Sequence, residues 1–272
     1  MYKKIDKTNP FIKLMKKLRD DDILALASQL SYSLLLSLFP FLIFLFTLAG
    51  YSSIKSDDVL INLKNILPYN VYSLISTTVI EIFDFRKGNL LSLSILITIW
   101  IASSGFNAVI KALNKAYDED ECRSFWKLQI ISILSTFVLA FLIIFSLFLL
   151  VLGNLLGYKI SLWLNLPPNF HYIWDSFRYL LTLLIMIFIF SLLYKITPCR
   201  ESTFSEALPG SIFTTIGWII VSLGFAFYVD NFANYSRLYG SIGAVIALMV
   251  WLYLTSVIIL IGGEINSLLA KD

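Results

Sequence analysis

Long apolar runs separated by short polar stretches make up most of this chain, and several of the runs have the length of a helix that crosses a bilayer. The clearest is 238–263, 26 residues without a charge, which as a helix would extend about 39 Å against a hydrocarbon core of about 30 Å. The same reading places spans at 25–51, 90–110, 128–153, 176–194 and 207–229. Residues 1–24 stand apart as a basic amphipathic segment, in which Phe11, Met15 and Leu18 share one helical face while Lys13, Lys16 and Lys17 point elsewhere. That pattern suits a helix lying on a membrane surface, with a plain solvated tail as the other reading. Two shorter apolar pieces, 59–67 and 71–83, are too short to cross and are expected to rest at the outer interface, with a re-entrant segment as the alternative. The expected fold class is therefore all-α: a polytopic membrane protein with a single six-helix domain over 25–270 and amphipathic interfacial helices.

Punctuation within the runs adds detail. Asp20, Asp21 and Asp22 precede the first span, where acidic charge suits a helix N-terminus, and Pro40 inside that span removes a backbone donor and should kink it. Loop 159–175 gathers Trp163, Pro167, Pro168, His171, Tyr172 and Trp174, a composition suited to the headgroup boundary. Arg178 follows in the first turn of the fourth span, and it is expected to snorkel to the interface. Gly210, Gly217 and Gly224 recur every seven residues on one face of the fifth span. Gly240 and Gly243, with Ala244 and Ala247, form a similar face at the start of the sixth, and small faces of this kind let helix backbones approach closely in lipid.

Composition confirms the class: hydrophobic residues are 58% of the 272 positions, charged residues 14%, and mean hydropathy is +0.81, which excludes a soluble globular domain. The distribution of charge matters more than the net +3. With six spans, the termini and the loops on their side carry 14 Lys or Arg and the opposite loops carry 6, which places both termini in the cytoplasm of a bacterial cell by the positive-inside rule. Cys122 and Cys199 then lie in cytoplasmic loops, where reduced thiols and no disulfide are expected.

Several short motifs are spread through this pattern: Tyr32 with Ser37-Leu38-Phe39-Pro40, Trp100 with Ser103-Ser104-Gly105, Asn114 with Tyr117, Tyr239-Gly240-Ser241 with Gly243-Ala244, and Gly262-Gly263-Glu264 with Asn266. In these the chain resembles the YihY/BrkB family of bacterial inner-membrane proteins over nearly its whole length. The resemblance implies six transmembrane helices and a plasma-membrane location, and it supplies no mechanism. Members of that family have carried a ribonuclease label. The residues argue against it, because the one histidine, His171, falls on the outer side and the acidic run 118–121 reads as a solvated loop. No catalytic residue, cofactor or metal site is expected.

The candidate chemistry is instead a set of polar groups within the spans, which lipid tolerates mainly where they face protein or a cavity. Gln29, Ser33 and Ser37 recur every four residues in the first span, Ser103, Asn107, Lys111 and Asn114 follow helical spacing in the second, and Glu264 and Asn266 close the last. All fall at the cytoplasmic depth, with Lys111 the expected partner of Glu264. Two readings stay open: a transporter or exporter of a small or lipid-like substrate through a polar cavity on that side, and a non-transporting scaffold or envelope-integrity factor whose polar stripes hold helices together. The expected partners are the bilayer, anionic lipid at the N-terminal segment, and a second copy of the chain in a homo-oligomer, with no nucleic acid.

Overall fold

The computed structural model describes residues 10–51, 60, 76, 91–142, 170–200, 202–232 and 241–270. These form seven long helices and, among the described residues, no strand: α1 (Pro10–Asp20), α2 (Ile23–Tyr51), α3 (Leu91–Ala116), α4 (Phe125–Leu142), α5 (Phe170–Ile196), α6 (Phe204–Phe232) and α7 (Ser241–Leu269). Within α2 and α4 to α7, five stretches are long and apolar enough to cross a membrane. The expected second span lies in α3, which is not among the five. The interfacial pieces 59–67 and 71–83 (apart from residues 60 and 76), Gly240, and most of loop 159–175 lie outside the described residues.

Local chemistry explains where the helices start and stop. Pro10 opens α1, a position at which its missing N–H costs nothing. The acidic run then serves as a corner, because Asp22 takes the left-handed conformation with φ 47° while its carbonyl accepts from Leu26 N at 3.0 Å, starting α2. At the end of α3, Asp118 adopts φ 57° and Glu119 N donates to Asn114 O at 2.9 Å, a left-handed cap that stops the helix. Thr203 accepts from Glu206 N at 3.4 Å to open α6. The helix α2 continues through Pro40 to Tyr51.

At one end of the bundle the start of α2, the end of α3, the start of α4, the end of α5, the start of α6 and the end of α7 meet. Lys17 reaches Ala116 O at 2.7 Å, Arg123 reaches Thr197 O at 3.0 Å, and Asn266 reaches Ala207 O at 3.1 Å. Successive helices therefore alternate in direction. The helix α7 packs against α1, α2, α3 and α6, and α5 covers the other side of α6. Ala27, Leu30, Leu113, Tyr194 and Leu260 fill the centre near that end. Most of the apolar surface of α5 and α6 is exposed, as Leu180, Leu184, Ile220 and Leu223 show, and belongs to hydrocarbon rather than to a protein core.

Helix contact through small residues is confined to part of the expected stripe. A β-carbon on Gly210 would collide with Gly262 O and the Asn266 amide, and one on Gly217 would press Ile258 at 3.0 Å. One on Gly224 would meet nothing within 4 Å, so the close-packed face of α6 ends before it. Gly243 is buried.

Candidate functional site: a charged end and an apolar crevice

The last helix does not end at Gly263 but runs on to Leu269, which carries Glu264 and Asn266 inside the helix end and into the protein. Glu264 is fully buried. Its partner is Lys17 of α1, whose Nζ lies 2.5 Å from Oε2, in place of the expected Lys111, which is exposed on the far face of α3. Neither oxygen of Glu264 accepts a hydrogen bond of good geometry among the described residues, so charge pairing is what compensates the burial. Lys17 also pairs with Asp118 at 3.1 Å and Asp21 at 3.2 Å. Burial alone would lower its pKa, but Glu264 and then Asp118 outweigh this and hold it above the ordinary lysine value.

Asn266 is spent on backbone. Pro209 lacks a donor in the second turn of α6; next to it Gly210 N donates to Asn266 Oδ1 at 2.7 Å, while Nδ2 donates to Ala207 O. Behind it, the Tyr194 hydroxyl donates to Ile259 O at 2.7 Å and shares a 2.6 Å bond with Thr214. Burial pushes the Tyr117 hydroxyl, which faces Asn266, up to about 12. Asn114 ties two loops, its amide donating to Glu121 at 2.8 Å and its carbonyl accepting from Cys199 N at 2.9 Å. Arg123 covers the open carbonyls of Ile196, Thr197 and Pro198 at the end of α5. Beside it Cys122 and Cys199 form a disulfide with Cα atoms 5.9 Å apart, which corrects the expectation of free thiols. The fold brings together two loops 77 residues apart, a proximity that the cell compartment does not reveal.

Of the other polar candidates, Ser37 and Ser103 are buried, Ser33 and Asn107 half-buried, and Gln29 exposed. Ser33 and Ser37 donate to Gln29 O and Leu34 O of their own helix. Ser103 accepts from Gln129 of α4 at 2.8 Å, a bond between helices that helical spacing along one span could not reveal. Arg178, expected at the interface, is buried and pairs with Asp175 at 3.1 Å.

The hollow lies elsewhere. A crevice of about 470 Å³ opens among α2, α3, α4, α5 and α7, lined by residues such as Phe41, Phe106, Leu139, Phe190, Leu193 and Ile259. Of the nine polar candidates only Ser37 reaches it. Thr136, also on its wall, donates to Ser132 O of its own helix. The chamber therefore offers an apolar solute dispersion contact and little hydrogen bonding.

Residues 14–272 match the family model described as Virulence factor BrkB. A protein of Bacillus subtilis (strain 168) named ribonuclease-like protein YfkH is 42% identical over 245 residues, 90% of this chain and 89% of that one. A UPF0761 membrane protein of Alteromonas mediterranea is 28% identical over 269 residues, 94% of this chain and 86% of that one. No solved structure matches.

Proposed function

We propose, from the premise that this chain belongs to the BrkB family of membrane proteins, that it takes a lipid-like substrate laterally into the apolar crevice and moves it. The observation that carries this reading is the mismatch between the hollow and the polar residues. The volume of about 470 Å³ falls in the usual range for ligand sites, yet its walls suit an acyl chain rather than a polar solute. The same mismatch favours a second reading, a lipid-holding scaffold, because Glu264, Asn266 and Asn114 are consumed in joining helices. We read α3 as the sixth span: its 26 residues extend about 39 Å, and it must return the chain to the end from which both α2 and α4 depart. The basic residues gathered at that end, including Lys111, Lys115, Arg123 and Lys127, support placing it in the cytoplasm. The ribonuclease-like name of the Bacillus relative is not carried over, since none of the described residues offers paired acid and base groups in a cleft.

Purified protein in vesicles tests the reading through transfer of a fluorescent phospholipid between leaflets. The parent should accelerate it, and Leu139→Trp or Ser135→Trp, which fill the crevice, should slow it. A photoreactive acyl chain that labels the parent crevice without any transfer would favour the scaffold, and absence of both would reject the site. Topology is read separately in a Cys122→Ser/Cys199→Ser background: an impermeant thiol reagent on intact cells should label a cysteine at Tyr172 and spare one at Glu119, both exposed positions.

A further inference from the structure

The helix α1 has two faces, one turned into the bundle and one largely exposed. Leu14, Lys17 and Leu18 turn inward, with Leu18 against the buried core and Lys17 held by Glu264 and Ala116 O, which fixes the rotation of the helix about its axis and corrects the expected division, in which Leu18 shares a face with Phe11 and Met15 while Lys16 points elsewhere. The outer face is left with Phe11, Ile12 and Met15, which are 66%, 56% and 53% exposed. Helical spacing of four continues Phe11 and Met15 into Arg19 and Ile12 into Lys16 and Asp20, so this face is apolar in its first half and mainly basic toward the corner. Lys115 adjoins the same corner, 3.9 Å from Asp21 and largely in solvent. Because α2 enters hydrocarbon immediately after the corner, α1 lies at the level of the lipid headgroups.

We infer that the outer face of α1 is a docking surface for anionic phospholipid, with Phe11, Ile12 and Met15 inserted among the first acyl carbons and Lys16 and Arg19 against the headgroup phosphates. Apolar insertion flanked by cations is the chemistry that recognises such a surface, and either half alone binds weakly. The inference is independent of what occupies the crevice, since it involves no residue that lines it.

The test is the melting temperature of the full chain in nanodiscs of phosphatidylcholine, with or without phosphatidylglycerol. Phosphatidylglycerol should raise the parent's midpoint, and molar salt should erase the gain. Lys16→Gln/Arg19→Gln should match the parent in pure phosphatidylcholine and lose more than half of the gain. Phe11→Ser/Met15→Ser should shrink it without altering its salt dependence. If the first variant keeps the whole gain, or soluble glycerol phosphate reproduces it in phosphatidylcholine discs, the surface is not a lipid site. Dimers in pure phosphatidylcholine that Phe11→Ser/Met15→Ser dissolves would assign the face to a second copy and overturn the inference. Should the first variant fail to fold, an unchanged gain in molar salt in the parent decides against it.

Discussion

At the charged end, Lys17, Asn114, Arg123 and Asn266 each reach partners on a different helix or loop, whereas around the crevice the hydroxyls of Ser37 and Thr136 turn back onto their own helices. One region is cross-linked by directional bonds, the other held by apolar contact. In hydrocarbon that difference matters, because lipid competes with apolar side chains for apolar contact but cannot replace a buried ion pair or an amide bond. The two regions divide the work of the fold. The charged end fixes where six helices begin or end, and the crevice is left as the part whose walls are tied by fewer polar bonds, such as that from Gln129 of α4 to Ser103 of α3.

The comparison is broken most severely by removing Lys17. Lys17→Met leaves Glu264 buried with its charge uncompensated, a loss of about 3 to 5 kcal/mol for complete burial. Glu264→Gln should cost less, since Lys17 keeps Asp21 and Asp118, and the double variant should recover part of the larger loss. Lys111→Met, at an exposed position, should change the melting temperature little. The pH dependence follows from the direction of the lysine shift. A cation whose pKa is raised on folding stabilises fully below its unfolded value and loses that contribution as pH rises through the folded one. The Lys17 contribution should therefore be flat through neutral pH and decline only above the ordinary lysine value of 10.5. A melting curve that declined near neutral pH, and did so only with Lys17 present, would contradict this.

Next in size is the bond between loops. A disulfide closing a stretch of this length typically contributes about 2 to 4 kcal/mol, so reductant should lower the parent's melting temperature to that of Cys122→Ser and leave the variant unmoved. Below that come the glycines. Gly262→Ala drives a methyl group into Thr214, Tyr194 and the Gly210 carbonyl, at about 1 to 3 kcal/mol or more, whereas Gly224→Ala meets open space and should be neutral or gain slightly from helix propensity. Equal effects at the two sites would mean that backbone proximity is not what distinguishes them.

Sequence periodicity and hydropathy were enough to read an all-helical polytopic chain because a bilayer demands continuous apolar length, a property of each segment by itself. They were also enough to mark Glu264 and Asn266, since polar groups at a span end stand out against an apolar run. Partners are a property of pairs of segments. Lys17 and Lys111 fall at the same end and differ in which way their helices are turned, and for α1 that rotation is fixed by the contacts of Lys17 with Glu264 and Ala116 O, which no single segment shows. Asn266 looked like a cavity group because nothing in its own helix shows that its amide bonds Gly210 N and Ala207 O of a neighbouring helix. Gln129 escaped notice altogether, lying one residue inside the expected third span, and no feature of that span singles it out.

Gln129 supplies the smallest effect and the one that tests the boundary between the two regions. It donates from α4 to Ser103 of α3, both side chains are buried, and Ala102 and Gly105 beside Ser103 lie on the crevice wall. Gln129→Leu removes this donor and leaves Ser103 still donating to Trp100 O at 2.8 Å, so no hydroxyl proton is stranded and the loss should be near the net worth of one hydrogen bond, about 0.5 to 1.5 kcal/mol. Its effect on lipid should run the other way. If α4 is the wall that moves, the described polar bond between α3 and α4 resists its separation, and Gln129→Leu should transfer lipid faster than the parent while melting slightly lower. Slower transfer at unchanged stability would instead make the Gln129 amide part of the substrate's path, and the crevice would not be a purely apolar chamber.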